Sequence, residues 1–252
     1  MARNSVLVLQ IIETLGRGTS MGLTELSQAL HSPKTSVHRA VADLIDEGWL
    51  RSTGQSPPRY FLSGKVLRAA QGVNGMAELS VVAEPLVDEL HESTGENVQL
   101  STLEDGYILV SARRESSHAL RVHLPIGERV PWHGTAAGRA IAGHLPPERL
   151  ERLLAGDLPA LTPDTITDRA ALRRDIERGA DQGYVVNRNG WRAGVVSIGA
   201  AILDARGLPV AGLSVNGVDS RMTPEVVTTV ARNVRDAAQR ATAELTGRQP
   251  SA

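Results

Sequence analysis

The sequence predicts an α+β protein in two parts, a small helical module that ends in a β-hairpin and a larger body built on an antiparallel sheet. Three helical patterns and a turn-rich hairpin pattern come first, and strand-like and helical patterns alternate from residue 97 onward. Charge divides in a similar way, because residues 1–72 carry 8 Lys/Arg against 5 Asp/Glu and the remainder carries 19 against 23. A mildly basic head favours a nucleic-acid partner, although many ordinary domains have a similar charge.

Composition limits the chemistry that the chain can perform. Its 252 residues, 41% of them hydrophobic, can bury a core in each part. The absence of cysteine excludes disulfides, thiolate metal ligands and cysteine nucleophiles. No apolar run reaches the length of about 18 residues that a membrane span needs, and no signal-peptide pattern is present. We therefore expect a cytoplasmic protein without a membrane partner.

The first three helices are predicted from the spacing of their apolar residues. The first covers 5–15 and the second covers 23–30. We expect Ser32 to cap a third helix and Pro33 to occupy its first turn. One face of that third helix is apolar, formed by Val37, Ala40, Val41, Leu44 and Ile45.

Two helices joined by a tight turn have the form of a helix-turn-helix, whose second helix enters the major groove of DNA. Arg pairs with guanine, and Lys, Ser and Thr hold phosphates or base edges. The direct readers predicted on this basis are Lys34, Thr35, Ser36, His38 and Arg39.

A hairpin follows this module. Residues 49–62 predict a wing, with Arg51 and Arg59 beside its tip, where they can reach phosphate or the minor groove. The competing interpretation is a small packing module whose cations are only solvated.

The body begins with a jointed linker. The chain is predicted to be helical over 65–71, to bend at 72–75 and to be helical again towards Leu90, with an interruption at Pro85. Further on, the patterns predict strands within 97–122, which include Leu120 and Val122, and strands near 184–187, 195–203 and 208–216. Helices are predicted near 134–143, 147–154 and 168–182. In a last helix we expect Thr223 to be the cap, Pro224 to lie in the first turn, and four valines to be buried, namely Val226, Val227, Val230 and Val234.

Enzyme motifs are not found in the sequence. The segment 134–140 has two glycines but lacks the Lys-Ser/Thr pair and the spacing of a phosphate loop. The seven histidines are scattered, and carboxylate pairs such as Asp88-Glu89 lie on expected helix surfaces. We therefore predict no catalytic residue, no metal site, no cofactor and no enzymatic activity.

Separated motifs follow one another along the chain, namely SPKTSVHR at 32–39, LPIG at 124–127 with PWHGTAAGRA at 131–140, TPDTIT at 162–167, QGY at 182–184 and LSVNG at 213–217. In this order they carry a resemblance to the IclR family of bacterial regulators that runs from about Ser5 to Leu245. It implies a winged helix-turn-helix DNA-binding domain over 1–64, a linker helix over 65–78 and a GAF-like effector-binding domain over 79–252.

The same resemblance implies partners. It implies a homodimer or a homotetramer on double-stranded DNA with a palindromic operator, and pairing suits such a site because two recognition helices about 34 Å apart meet successive major grooves. It also implies a small-molecule effector in a pocket formed by Ala119, Val122, Val130, Ala136, Ala137, Asn187, Val195, Ser197, Ser214 and Asn216.

We expect a carboxylate in this pocket, because the N–H groups at the start of the 134–143 helix point outward and favour negative charge. One departure from the family bears on its identity: where many relatives carry an acidic stretch, this chain carries NRNGWR at 187–192. Arg188 or Arg192 can pair with a carboxylate and Trp191 can cover an aromatic ring, so we expect a small organic acid, aromatic acids included. The altered stretch equally permits an effector of another class or a pocket that no longer binds anything. For Ser197, Ser214 and Asn216 the alternative is that these small residues only fill a sheet.

The predicted function is a sequence-specific, effector-gated transcriptional regulator, with repression and activation both open. One competing function is a small-molecule sensor or enzyme whose N-terminal module mediates protein contacts. Another is an architectural DNA-binding protein that no ligand affects. Salt-sensitive DNA binding that is lost in Arg39→Ala distinguishes a groove-binding module from a protein-docking module.

Overall fold

A computed structural model shows how these patterns fold. It describes residues 2–16, 18, 20–70, 76–123 and 128–247, and the chain separates into two units, Met1–Ala77 and Glu78–Ala252. The joint predicted at 72–75 and the LPIG motif at 124–127 lie outside the described residues. The predicted bounds of the linker helix, 65–78, stay a prediction.

Three helices and a three-stranded sheet make up the N-terminal unit. Its elements are α1 (Ala2–Leu15), β1 (Met21–Gly22), α2 (Leu23–Ala29), α3 (Lys34–Asp46), β2 (Leu50–Ser52) and β3 (Arg59–Leu62). Ile11, Leu26 and Val37, one from each helix, are fully buried in a common core. The strands pair antiparallel in the order β1-β3-β2, with Leu50 opposite Leu62. This confirms the helix-turn-helix and the wing, whereas β1 is too short to show an alternation and was not predicted.

The turn between α2 and α3 differs from the expected cap. Ser32 does not cap α3, because its hydroxyl donates to the Leu30 carbonyl at 3.1 Å and its own carbonyl accepts from Ser27 Oγ at 2.7 Å. Pro33 is the N-cap residue and not part of the first turn, with an extended ψ of 136°. The Pro33 carbonyl accepts from the N–H groups of Ser36 and Val37, so the helix begins one residue later than expected, at Lys34.

Two helices follow the wing, α4 (Lys65–Ala70) and α5 (Met76–Thr94). Lys65 fixes the start of α4, because its Nζ donates to the Glu47 carbonyl at 2.6 Å and lies 4.9 Å from the centre of the Trp49 ring. The predicted interruption at Pro85 is wrong, since α5 continues through it. A proline removes one backbone donor, and the buried face of α5 stays continuous on both sides of it.

The second unit is built on a six-stranded antiparallel sheet in the order β6-β5-β4-β9-β8-β7. Its strands are β4 (Asn97–Glu104), β5 (Tyr107–Arg114), β6 (Arg129–Pro131), β7 (Val185–Arg188), β8 (Val195–Leu203) and β9 (Pro209–Val218). Three of the four inner strands, β4, β9 and β8, are buried over most of their length. The α+β fold with an antiparallel sheet is confirmed, and among the strands that the structure describes in this unit the short edge strand β6 was missed.

The segment after β5 is not a strand. Residues 115–123 are irregular, Leu120 is 68% exposed, and the strand predicted at Leu120 and Val122 is therefore wrong. Side-chain hydrogen bonds hold this segment in place of a strand ladder. The Asn97 amide donates to the Val122 carbonyl, and the Ser116 hydroxyl donates to the Gly95 carbonyl. Two apolar residues in alternation are too few to identify a strand.

Four helices complete the unit at the predicted positions, α6 (Ala136–Ala142), α7 (Pro147–Ala155), α8 (Arg169–Gln182) and α9 (Pro224–Thr246). Thr223 caps α9 as predicted, accepting a hydrogen bond from the Val226 N–H at 3.4 Å. Val227, Val230 and Val234 are buried, but Val226 is 40% exposed, so its predicted burial is wrong. It lies beside the buried stripe, which continues along the alanines of α9. In the described part of the chain, no helix has both the length and the apolar character of a membrane span.

Candidate DNA-binding surface and effector cavity

The start of α3 presents a polar and basic surface. The side chains of all five predicted readers are exposed, namely Lys34, Thr35, Ser36, His38 and Arg39. The buried side of the same helix packs on the core through Val37 and Ala40. Neither Lys34 nor Arg39 forms a hydrogen bond or an ion pair with any residue that the structure describes. Both cations are therefore available to phosphate oxygens or base edges.

The two wing arginines differ. Arg51 is exposed on β2. Arg59 is tied into the unit, because its Nη2 donates to the Ser20 carbonyl at 2.5 Å and lies 3.0 Å from Glu25 Oε2. The Gly22 N–H donates to the same carboxylate at 2.7 Å, and this bond, followed by Arg59, holds the pKa of Glu25 below its usual value. Arg59 thus links the wing to the start of α2.

A small cavity lies between the sheet of the C-terminal unit and the start of α6. It is lined by Gln99, Ser101, Ile108, Thr135, Ala136, Ala137, Trp191, Ser197, Ser214 and Asn216. Its volume is about 20 Å³, which is enough for about one water molecule. Five of the six polar residues that line it lie on the neighbouring strands β4, β9 and β8. In the sheet register Gln99 is opposite Ser214, and Ser197 is opposite Asn216.

Helix α6 reaches the cavity because the sheet offers it no side chain at the point of contact. A Cβ atom at Gly199 on β8 would lie 2.6 Å from the backbone nitrogen of Ala137, closer than such atoms approach in proteins. Thr135 caps the helix and accepts from the Gly138 N–H at 3.0 Å. Glycine at position 199 therefore sets how closely the first turn of α6 packs on the sheet.

The polar side chains of the cavity are buried but only partly paired. The Asn216 amide donates to Ser214 Oγ at 3.2 Å and to Gln99 Oε1 at 3.4 Å. The hydroxyls of Ser101 and Ser197 are 1% and 4% exposed as residues and form no hydrogen bond to the described chain. Both hydroxyls line the cavity, so they are open to a molecule that occupies it.

Comparison with known proteins identifies the family. A model of the C-terminal domain of bacterial IclR transcriptional regulators matches residues 71–243, and a model of the IclR helix-turn-helix domain matches residues 8–54. The chain belongs to the IclR family. It is accordingly a DNA-binding transcriptional regulator with a C-terminal effector domain, and these matches do not favour the protein-docking alternative.

Individual relatives agree with the IclR assignment along most of the chain. The HTH-type transcriptional regulator KipR of Bacillus subtilis is 30% identical over 220 residues, which is 87% of each protein. BhcR of Paracoccus denitrificans is 30% identical over 237 residues, 92% of this chain and 83% of that protein. An IclR homologue of Microbacterium hydrocarbonoxydans, solved in complex with 4-hydroxybenzoate, has the same fold, with a TM-score of 0.81, 24% identity and coverage of 96% of this chain and 98% of that one.

Half of the effector residues implied by the IclR resemblance line the cavity. These are Ala136, Ala137, Ser197, Ser214 and Asn216. The others do not line it: Ala119 is exposed, and Val122, Val130, Asn187 and Val195 are buried elsewhere. Val130 packs behind the cavity in a cluster with Val110 and Trp191.

Asn187 has a structural position in place of a cavity position. Its Oδ1 accepts from Arg139 Nη2 at 2.6 Å, and its Nδ2 donates to the Gly134 carbonyl at 2.9 Å. Arg139 in turn pairs with Asp175 on α8. Burial lowers the pKa of the Arg139 guanidinium and Asp175 opposes that shift. This buried network fixes the turn that leads into α6, and with it one wall of the cavity.

The segment NRNGWR at 187–192, which replaces the acidic stretch of many relatives, contributes one side chain to the cavity. Trp191 lines it, while Arg192 lies outside with its guanidinium 4.2 Å from the centre of the indole, and Arg188 pairs with Asp219 at 3.2 Å. The described chain thus keeps both arginines away from the cavity lining.

Sequence reasoning missed four lining residues, Gln99, Ser101, Ile108 and Thr135. A pattern that points to two of them exists, because Asn97, Gln99 and Ser101 alternate with apolar residues along β4 and place polar side chains on one buried face. Ile108 and Thr135 carry no comparable pattern.

Proposed function

We propose that this protein is a cytoplasmic, effector-gated regulator that binds a palindromic operator as a homodimer or homotetramer and changes its operator affinity when a small organic acid fills the C-terminal cavity. The observation that carries the proposal is the cavity itself, which the hydroxyls of Ser101 and Ser197 line together with the first turn of α6. A ligand with acceptor oxygens can accept hydrogen bonds from these hydroxyls, and those bonds favour binding of such a ligand.

The DNA part of the proposal assigns the five exposed α3 side chains to the major groove. Arg39 and Lys34 supply the positive charge, and Thr35, Ser36 and His38 supply short hydrogen-bonding groups. Arg51 contributes a phosphate contact from the wing. Arg59 can contact phosphate only if its ion pair with Glu25 breaks.

Pairing of two copies is supported by an exposed apolar strip on α1. Val6 is 55% exposed and Leu9 is 60% exposed, one helical turn apart. A second copy that covers this strip brings two recognition helices into one particle, which a palindromic operator requires.

The cavity is the proposed effector site, and 4-hydroxybenzoate is the first ligand to test there, because the Microbacterium relative was solved with this acid. An effector that weakens operator binding must itself bind less tightly to the operator complex than to the free protein, because coupling between two sites is reciprocal.

The test is fluorescence anisotropy with DNA from the chain's own upstream region and with a scrambled duplex, over a series of salt concentrations. We expect preference for the upstream DNA, and loss of that preference in Arg39→Ala. Arg232→Ala is the matched control, because Arg232 is an exposed arginine of α9 in the other unit. The same assay with added benzoate and 4-hydroxybenzoate tests gating. Equal binding of both duplexes by the wild-type protein, or operator complexes that no acid alters, would contradict the corresponding half of the proposal.

A further inference from the structure

We propose that Trp191 is the specificity-determining residue of the effector cavity, where it closes the cavity when empty and stacks on an aromatic acid when occupied. This inference rests on the proposed function and names the ligand class of the same cavity, namely small acids with a flat aromatic ring.

The size of the cavity requires a movable wall. Its volume of about 20 Å³ is far below the roughly 300–1,000 Å³ of small-molecule sites. Most lining residues belong to β4, β5, β8 and β9 or to the first turn of α6, where a shift would break backbone ladders. Trp191 alone among the lining residues lies on the loop after β7.

Hydrogen bonds hold the backbone of the loop after β7, whereas the Trp191 side chain makes no hydrogen bond to the described residues. Thr162 Oγ1 donates to the Asn189 carbonyl at 2.7 Å, and Thr165 Oγ1 donates to the Gly190 carbonyl at 2.8 Å. The Gly194 N–H donates to Asn189 Oδ1 at 2.9 Å. The first two bonds tie the residues before Trp191 to the segment 162–165, and the third closes the loop on itself. After the indole, the Asp219 N–H donates to the Gly194 carbonyl at 2.8 Å, so a rotation of Trp191 does not require the loop to unfold.

The indole itself is held only by contacts that are easily exchanged. Trp191 packs on Val110 and Val130, and Arg192 covers its ring at 4.2 Å. Its Nε1 makes no hydrogen bond within the described residues. When the indole swings away from the two valines, a flat ring can take its place and lie against its face, because aromatic rings prefer offset-stacked or edge-to-face contact.

The remaining walls select the other end of the ligand. Ser101 and Ser197 have unpaired hydroxyls, and Gln99 uses only its Oε1 atom. These neutral donors fit an acid group or a phenol oxygen, and the apolar side chain of Ile108 fits the ring edge. The cavity thus pairs an aromatic wall at Trp191 with hydrogen-bond donors on the sheet.

The test compares benzoate with cyclohexanecarboxylate, which has the same carboxylate and ring size but no aromatic face. Isothermal titration of the full chain gives the Kd of each acid for wild type, Trp191→Phe and Trp191→Leu, with Trp49→Leu as the control for loss of a tryptophan elsewhere. We expect wild type, Trp191→Phe and Trp49→Leu to prefer benzoate, and the preference to fall by about two- to tenfold in Trp191→Leu. Circular dichroism melting shows whether each variant is folded.

Two results overturn the inference. One is an equal ratio of the two Kd values in wild type and Trp191→Leu, and the other is the absence of benzoate binding by the wild-type protein. The operator assay separates this inference from the proposed function. Trp191-dependent benzoate binding that leaves the operator complex unchanged refutes gating alone, whereas benzoate that releases the operator with equal strength in wild type and Trp191→Leu refutes only the role of Trp191.

Discussion

Arg139 on α6 and Asp175 on α8 form a buried ion pair, in which Nη1 lies 2.5 Å from Oδ2 and the two side chains are 2% and 9% exposed. Asp175 also pairs with Arg178, one turn further along α8, whose side chain is 69% exposed. A single carboxylate therefore pairs with one buried and one exposed guanidinium. The effects of removing each partner should differ accordingly.

Asp175→Ala should lower the free energy of unfolding by about 3–5 kcal/mol, because it leaves the Arg139 charge buried without its counter-ion. Arg178→Ala is the matched control and should cost less than about 1 kcal/mol, since exposed ion pairs contribute little. Urea unfolding followed by circular dichroism measures both. Equal losses in the two variants would show that burial of the pair does not govern its contribution.

Removing Arg59 should damage the fold of the wing, whereas removing Arg51 should not. Arg59→Ala breaks bonds to Ser20 and Glu25 and should destabilise the N-terminal unit by about 1 kcal/mol, a value reduced by partial exposure. Arg51→Ala should leave the melting temperature unchanged and reduce the slope of log K against log salt by about one. Thermal melting and operator titration report these effects separately. A lower melting temperature in Arg51→Ala would contradict the assignment.

Gly199→Ala should displace α6 from the sheet. The added methyl group meets the backbone of Ala136 and Ala137, so the strain cannot be relieved by rotating a side chain, and overpacking of this kind costs about 1–3 kcal/mol. Acid binding should weaken as well, because Ala136 and Ala137 line the cavity. Gly207→Ala is not a suitable control, since Gly207 has a positive φ of 77°. Gly54→Ala, on the wing with open space around it, is suitable. If unfolding free energy and acid affinity stay at wild-type values in Gly199→Ala, the close approach has no energetic role.

Stability should fall as the pH drops below the ordinary histidine value of about 6.5. Burial lowers the pKa of His133 and of His144, so the unfolded chain takes up protons that the folded chain does not. The contribution is fully present above that value and is lost as the pH falls through it towards the lowered folded values. Urea unfolding from pH 8 to pH 5 measures the slope, and His133→Gln should flatten it. The same replacement at exposed His38 controls for loss of a histidine, and a slope that His133→Gln leaves intact would argue against burial of His133 as its source.

Sequence patterns located the regular elements because each element buries one face. The three helices of the first unit and the helices and long strands of the second have apolar residues at the spacing of 3.6 or of 2 that burial requires. The exposed start of α3 was also predictable, since Lys34, Thr35, Ser36, His38 and Arg39 interrupt that apolar spacing.

Details that depend on a spatial neighbour were not predictable. Ser32 has the composition of a cap, but its hydroxyl bonds to Leu30, and Leu120 and Val122 alternate in a segment that Asn97 holds out of the sheet. Five of the cavity-lining residues were among those that the family resemblance implied, and their role in effector binding stays a prediction. The contribution of Gln99 depends on the pairing of β4 with β9, which lies more than a hundred residues away in sequence.

The edge strands of the large sheet affect how copies of this chain can associate. In the described chain its outermost strands are β6, with three residues, and β7, with four. Strands this short offer few free backbone groups, which is how natural proteins prevent sheets from extending through neighbouring molecules. Growth by strand addition, and the open-ended fibres that it produces, is therefore disfavoured at both ends. Helix and loop surfaces are therefore favoured for association of this unit, and contacts of that kind can close into a finite particle.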